Sequence, residues 1–212
     1  MSLRVHEIFH SLQGESSRVG LPTVFVRLTG CPMRCVYCDT AYAFTGGENM
    51  ELDEIMAQVS EHGTRYVTVT GGEPLAQKEC LVLLKELCDA GYEVSLETGG
   101  AIDTSAVDNR VAVILDVKTP GSGEVEKNLW DNLQHLKPKD EVKFVLCNRS
   151  DYDWAKQVLA ERAIGSKCSV LFSPVYNQVN PTELAEWILH DKLPVRMQIQ
   201  LQKVLWGEKP GV

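Results

Sequence analysis

The chain has 212 residues, 44% of them apolar and 24% charged, which is ordinary for a globular fold and enough for one sizeable core. Its formal net charge of -8 argues against a nucleic-acid surface, since sequence-independent affinity for phosphates needs clustered Lys and Arg. No apolar run approaches the length that crosses a bilayer, so the expectation is one domain over 1–212, cytoplasmic, with no nucleic-acid and no membrane partner. Six short apolar, β-branched segments then recur along the chain: VFVRL, YVTVT, EVSLET, VAVILDV, EVKFVL and SVLFSP. Leu52, Ile55, Met56 and Val59 fall at helical spacing, as do Leu81, Leu84, Leu87 and Cys88. Asp151 to Ala163 and Pro181 to His190 also read as helices, the second opened by Asn180 as cap with Pro181 at the first helical position. TPGSGEVE, Thr119 to Glu126, is a Gly-rich loop, because strand patterns continue on both sides of it. Near the end, Gln198 to Leu205 is strand-like and reads as lining a pocket or pairing across a dimer. Alternating strands and helices predict an α/β fold with about six mainly parallel strands.

The unusual residues all follow strands. The first runs into TGCPMRC, the second into TGGEP, the third into ETGG, the fourth into DVKTPGSG and the sixth into SPVYN. In a parallel sheet or barrel the carboxyl ends of the strands share one face, where ligand sites are built. One site assembled from several loops follows.

Three of the seven cysteines lie in GCPMRCVYCDT, at spacing C-x3-C-x2-C. A structural zinc site needs four protein ligands, and no fourth Cys or His is near in sequence. In an iron-sulfur cubane each of three irons can take one thiolate, leaving the fourth iron for an exogenous ligand. The remaining reading, a loop of reduced thiols without metal, would be an oxidation liability. Cys80, Cys88, Cys147 and Cys168 have no metal spacing and read as buried thiols, and the five histidines show no paired pattern. The glycines of TGGEP permit a tight turn and close backbone approach to a ligand, although a Gly-Gly turn at a strand end by itself marks only a turn.

Cys31, Cys35 and Cys38, with Tyr37 before the last, resemble the cluster motif of the radical S-adenosylmethionine (SAM) enzymes, and TGGEP resembles the segment with which that family binds the SAM amino group. The resemblance implies a [4Fe-4S] cluster held by the three cysteines. Its open iron is chelated by SAM, which one electron then cleaves to a 5'-deoxyadenosyl radical. It also implies SAM contacts for Tyr37, Cys38, Asp39, Gly72, Glu97 (toward the ribose diol), Asp116, Val117 and Lys118, and for Ser173, Pro174, Val175 and Tyr176 along the adenosine. Lys118 is suited to a carboxylate as a mobile ammonium. An ordinary surface ion pair is the other reading of Asp116 and Lys118.

Glu7 to Cys31, EIFHSLQGESSRVGLPTVFVRLTGC, narrows the likeness. EIF, LQGE, G-x-P-x-VF-x-R, CDT, TGGEP and ET-x-G occur in the order found in the 7-carboxy-7-deazaguanine synthase family. That resemblance implies conversion of 6-carboxy-5,6,7,8-tetrahydropterin to 7-carboxy-7-deazaguanine with loss of ammonia, SAM being regenerated. Arg27 offers a planar fork for the substrate carboxylate. Leu12, Gln13 and Gly14 bring backbone groups and one amide to the pterin edge, Glu15 bonds its guanidine-like edge or is a solvated loop carboxylate, and Thr70 touches substrate. Thr40 matches a family position that ligates Mg2+, or else caps a turn.

The resemblance further implies a homodimer and an electron donor such as a flavodoxin or ferredoxin. Some family members close the pterin site with a terminal carboxylate, and the longer end QLQKVLWGEKPGV prevents assigning that contact to a residue here. Two rivals stand beside this reading: an activase that places a glycyl radical on a partner protein, and a zinc-binding or iron-sulfur electron-transfer module. The expected fold is a partial (βα) barrel, a modified radical SAM core, since a complete eight-unit barrel needs more chain.

Overall fold

The computed structural model describes all residues, 1–212. Its strands are β1 (Ser2–Leu12), β2 (Pro22–Leu28), β3 (Glu48–Glu51), β4 (Tyr66–Gly71), β5 (Glu93–Thr98), β6 (Ala112–Val117), β7 (Glu141–Leu146), β8 (Ser169–Pro174) and β9 (Arg196–Met197). Five helices accompany them: α1 (Leu52–Glu61), α2 (Cys80–Asp89), α3 (Arg149–Glu161), α4 (Pro181–Asp191) and α5 (Leu201–Trp206). One open sheet holds all nine strands, in the order β3-β1-β2-β4-β5-β6-β7-β8-β9.

The six strands expected from sequence form as β2 and β4 to β8, and they lie side by side and parallel. The sheet is nevertheless larger than six. β1 pairs antiparallel with β2 and with β3, and β9 adds two residues to β8. SLRVHEIFHSL lacks a clean alternation because the register shifts between Val5 and Glu7, so its two halves present different parities. The strand-like reading of Gln198 to Leu205 is also corrected, since Leu201–Trp206 is helical and the strand ends before it. Leu, Gln and Lys are good helix formers, and Val204 is the one β-branched residue in that turn.

Helices α1 to α4 stand where the apolar spacing put them. The Asn180 side chain caps α4 by accepting from the Thr182 N–H at 2.8 Å, with Pro181 at the first position, and the Asn148 side chain caps α3. Residues between β5 and β6 and between β6 and β7 form short turns instead of α-helices.

Side chains alternate across a strand with period two, so each strand divides its residues between two environments. On one face Val24, Val26, Leu28, Val67, Val69, Leu96, Val142 and Phe144 pack against Ile55, Leu84, Leu87 and Val158 of the helices as part of one apolar core. The opposite parity carries Arg27, Thr70, Glu97, Asp116 and Lys143, which line a single cavity. β2 and β7 are four strand positions apart, about 19 Å across a flat sheet. That their residues border one cavity means the sheet curls around it.

Two segments complete the curl. Loop 13–21 of the β1–β2 hairpin crosses the amino ends of the strands: Ser17 N–H donates to Glu141 at 2.8 Å, and Arg18 donates to the Glu93 carbonyl at 2.9 Å. The stretch after β9 spans from that edge back to the β1–β2 hairpin. Gln198 accepts from Ser16 N–H at 2.6 Å and donates to the Ser16 carbonyl at 2.8 Å, and Leu201 N–H reaches the Gly14 carbonyl at 3.0 Å. The gap in the barrel is therefore covered by this chain itself. Gln198→Leu leaves the buried backbone N–H and C=O of Ser16 without these partners, so urea denaturation should show a loss of about 1–3 kcal/mol.

Candidate functional site

The cavity inside the curled sheet has a volume of about 630 Å3. This is the size of ligand pockets in general, and the loops that follow β2, β4, β5 and β8 border it. Cys31, Cys35 and Cys38 stand in its wall, and no histidine or fourth cysteine borders it. Nowhere do three His, Cys, Asp or Glu side chains converge on one point as a single ion would require. A zinc ion would draw its sulfurs onto one centre at about 2.3 Å, whereas a cubane distributes its ligands over separate corners. The donor set, three half-buried thiols around one loop and one missing corner, fits a cluster with an open iron. Burial pushes the Cys31 and Cys35 thiols above the ordinary range, so the free thiols are not poised to ionise without a metal.

The loop is held from several directions. Arg34 N–H donates to Glu124 Oε1 at 2.7 Å and Val36 N–H to the Ser122 carbonyl at 3.0 Å, so the Gly-rich loop Thr119 to Glu126 acts as its clamp. The Arg34 guanidinium closes the turn by donating to the Cys31 and Met33 carbonyls, and it lies over Phe44 at 4.3 Å. Buried Asp151 fixes the clamp in turn by accepting from Gly121 N–H, Thr119 Oγ1 and Cys147 N–H, each within 2.9 Å.

TGGEP faces this loop. A Cβ on Gly71 would lie 2.2 Å from the Leu28 carbonyl oxygen, and one on Gly72 would lie 2.2 Å from that of Gly30 and 2.9 Å from Cys31 Cβ. The close approach that these glycines permit is thus between two protein loops. The Gly72 carbonyl accepts no hydrogen bond from the protein. Glu73 is fully buried and accepts from Thr98 Oγ1 at 2.9 Å, Gly99 N–H at 2.8 Å and Leu75 N–H at 3.1 Å. It ties TGGEP to ETGG and caps the turn at Pro74.

All six residues expected at the substrate, Leu12, Gln13, Gly14, Glu15, Arg27 and Thr70, border the cavity. The Gln13 amide is spent within the protein, however, donating to Thr68 Oγ1 and Glu97 Oε1 at 3.2 Å and accepting from Glu15 N–H at 3.1 Å. These bonds fix the side chain in the cavity wall. Glu15 is no solvated carboxylate. It pairs with Lys143 Nζ at 2.7 Å and accepts from Gln200 Nε2 at 2.8 Å. Burial opposes its ionisation, but the Lys143 ammonium and these hydrogen bonds outweigh burial and hold the carboxyl below its ordinary range. Arg27 spends Nε on Glu7 at 2.7 Å, and its two terminal nitrogens have no protein acceptor. Stacked Phe9 and Phe25, with centroids 4.9 Å apart, and Tyr42 flank it.

Of the residues expected at SAM, Tyr37, Cys38, Asp39, Gly72, Glu97, Asp116, Lys118, Val175 and Tyr176 border the cavity. Val117, Ser173 and Pro174 do not. Val117 has the outward parity and its side chain belongs to the apolar core. The Tyr37 hydroxyl and Asp116 Oδ1 are buried without a partner. Lys118 is neither a mobile ammonium nor part of a surface pair, because its side chain is only 8% exposed and donates to Asp116 Oδ2 at 2.8 Å. Glu97 accepts from Thr70 Oγ1 at 3.0 Å as well as from Gln13, which groups it with the residues expected at the substrate. Thr40 opens a short turn, Ala41–Phe44, without capping it, and its hydroxyl lies 3.8 Å from Cys38 Sγ.

Sequence reasoning missed Lys143 and the glutamines of the final segment. A lone lysine at an inward position of EVKFVL was the available signal for the first. Gln200 and Gln202 carried none, because their place depends on where the segment after β9 runs. Gln200 Nε2 also lies 3.3 Å from Asp39 Oδ2, joining the floor of the cavity to the cysteine loop.

Burial raises the Glu97 carboxyl above its ordinary value of 4.5, with Lys143 pulling the other way. The folded chain thus holds this proton more tightly than the unfolded chain, and stability is lost as pH rises from the ordinary value through the raised one. Glu97→Gln keeps the bond from Gln13 on its amide oxygen and reverses the other, its amide N–H donating to Thr70 Oγ1. It should be more stable than the wild type at pH 7 by about 1 kcal/mol, the difference shrinking toward pH 5 in urea denaturation.

The signature of the radical SAM superfamily matches residues 25–188 of this chain. A 7-carboxy-7-deazaguanine synthase of Chlorobaculum tepidum is 48% identical over 208 residues, which cover 97% of this chain and 94% of that one. Another, of Koribacter versatilis, is 41% identical over 226 residues, covering 99% and 100%. Among solved structures, QueE from Escherichia coli superposes with a TM-score of 0.77 over 95% of both chains at 23% identity. Streptococcus suis SuiB bound to S-adenosylmethionine gives 0.57 at 11% identity over 81% of this chain and 48% of that one. The two structural likenesses speak for the fold, and the sequence relatives for more: the chain belongs to the radical SAM superfamily and, within it, to the 7-carboxy-7-deazaguanine synthases.

Proposed function

We propose that this enzyme converts 6-carboxy-5,6,7,8-tetrahydropterin into 7-carboxy-7-deazaguanine with loss of ammonia, in queuosine-type nucleoside biosynthesis. One observation carries the reading: a single cavity has the three cysteines in its wall and Arg27 with the LQGE floor bordering the same space. When bound, the [4Fe-4S] cluster and SAM supply one-electron chemistry that removes a hydrogen atom from the substrate and later returns one. Everything else falls to the protein's own groups.

Cys31, Cys35 and Cys38 hold the cluster. The Gly72 carbonyl, which has no protein donor, accepts from the SAM ammonium, while Tyr37, Asp39, Asp116 and Lys118 border the same end. Val175 and Tyr176 lie along the adenosine, and Val117, Ser173 and Pro174 contribute through backbone and support alone. At the other end, the terminal nitrogens of Arg27 receive the substrate carboxylate in a bidentate pair, with Glu7 fixing the plane of the fork. Glu15, Glu97 and Thr70 present acceptors to the donor-rich edge of the pterin, and Leu12 and Gly14 present backbone. Thr40, its hydroxyl uncommitted to capping, ligates Mg2+ together with substrate oxygens, because a single hydroxyl makes a weak site for a hard ion.

Residues 1–212 act as one domain in this reading. Val36, exposed at the middle of the cysteine loop, gives an electron donor of flavodoxin or ferredoxin type a short path to the cluster. A cytoplasmic homodimer completes the proposal. No helix is long and apolar enough to cross a membrane.

Anaerobically reconstituted protein incubated with SAM, reductant, Mg2+ and carboxytetrahydropterin should yield carboxydeazaguanine, and absence of that product defeats the reading. Changing Cys31, Cys35 and Cys38 together to Ala should abolish both the visible absorption and turnover. Thr40→Val should weaken the Mg2+ dependence of turnover, and an unchanged metal titration removes Thr40 as a ligand.

A further inference from the structure

We propose that Lys143 is a positioning residue that couples the two ends of the cavity, holding Glu15 at the substrate end and Asp116 at the SAM end in one fixed relation. The proposal deepens the functional reading above and rests on it for which ligand occupies which end.

Lys143 and Asp116 are register partners on neighbouring strands, so both side chains enter the cavity from the same level of the sheet. Lys143 Nζ lies 2.7 Å from Glu15 Oε2 and 3.8 Å from Asp116 Oδ2. That same Asp116 oxygen takes the Lys118 ammonium at 2.8 Å. The result is a line of alternating charge, Glu15, Lys143, Asp116, Lys118, contributed by the floor loop, β7, β6 and the residue after β6. All four side chains are between 8% and 16% exposed, so the line is screened mainly by protein.

Two ammoniums therefore share one oxygen of Asp116, while its other oxygen is buried with no partner. How much of Asp116 Lys118 retains depends on how firmly Glu15 holds Lys143. A donor group of the substrate that engages Glu15 loosens that hold and shifts Lys143 toward Asp116. Any such shift is felt at Lys118. By linkage, the same connection transmits SAM binding back to Glu15. No other cation bridges a floor carboxylate to a strand-end carboxylate in this cavity.

The test is the dissociation constant of SAM, measured on cluster-loaded protein without reductant, so that turnover plays no part in the readout. Glu15→Gln is nearly isosteric and still accepts from Gln200 on its amide oxygen, so the Gln200 link to Asp39 and the cysteine loop is kept while the charge facing Lys143 is removed. Without any pterin present, it should nonetheless weaken SAM binding at least threefold. Lys143→Met should weaken SAM and raise the KM for the pterin at least tenfold each, with iron per chain unchanged, and Lys143→Arg should recover SAM affinity to within threefold. Wild-type SAM affinity in Glu15→Gln, or in a fully loaded Lys143→Met, overturns the proposal. Should Lys143→Met fail to load its cluster, Glu15→Gln and Lys143→Arg decide alone. A wild type that binds SAM yet makes no carboxydeazaguanine refutes the functional reading while leaving the Lys143 measurement intact.

Discussion

Everything in this molecule follows from the two-residue alternation of six parallel strands. One parity of each strand is mainly Val, Leu or Phe and goes to the core beneath the helices. The other is free to be Arg27, Thr70, Glu97, Asp116 or Lys143, because the curled face encloses ligand space instead of packing against another layer. A parallel sheet buried on both faces normally reads as an unbroken apolar run. Arg27, Glu97, Asp116 and Lys143, embedded in VFVRL, EVSLET, VAVILDV and EVKFVL, depart from that rule, and each borders the cavity. The apolar half of each strand supplies the stability that lets the other half carry unpaired acceptors and crowded charge.

The strand ends then have to be brought together, and here backbone proximity is the constraint. Gly71 and Gly72 allow the end of β4 to touch the end of β2 and the first cysteine, since side chains there would overlap carbonyl oxygens at 2.2 Å. Glu73 fixes the far side of that contact to ETGG. Three motifs separated by dozens of residues are thereby one rigid unit. The cysteine loop needs a second wall, and the Gly-rich loop after β6 provides it through Ser122 and Glu124.

This explains what could be read from the sequence and what could not. The six core strands and four helices were legible because their periodicity is local. The cavity residues at strand ends were legible because topology alone puts those ends on one face. β1 was hidden by its register shift, and β9 is too short to carry a pattern. The protein partners of Gln13 and Glu15, and the burial of Lys118, could not be read from sequence. Gln13 and Glu15 are held by partners distant in sequence, whereas Lys118 pairs with nearby Asp116 and only its burial was hidden. Pairing between Glu15 and Lys143 spans 128 positions, and no local pattern reports such a distance.

The closure of the open sheet by its own hairpin loop and final segment bears on the chemistry as well as the fold. An open partial barrel would leave the buried charges in contact with water, where ion pairs are weak. Loop 13–21 seals the amino ends, and Gln198, Gln200 and Leu201 bind the last segment to that loop and to Asp39. The charge line on the cavity wall is thus screened mainly by protein. The segments that finish the fold are therefore the same ones that keep the ion pairs of the cavity strong.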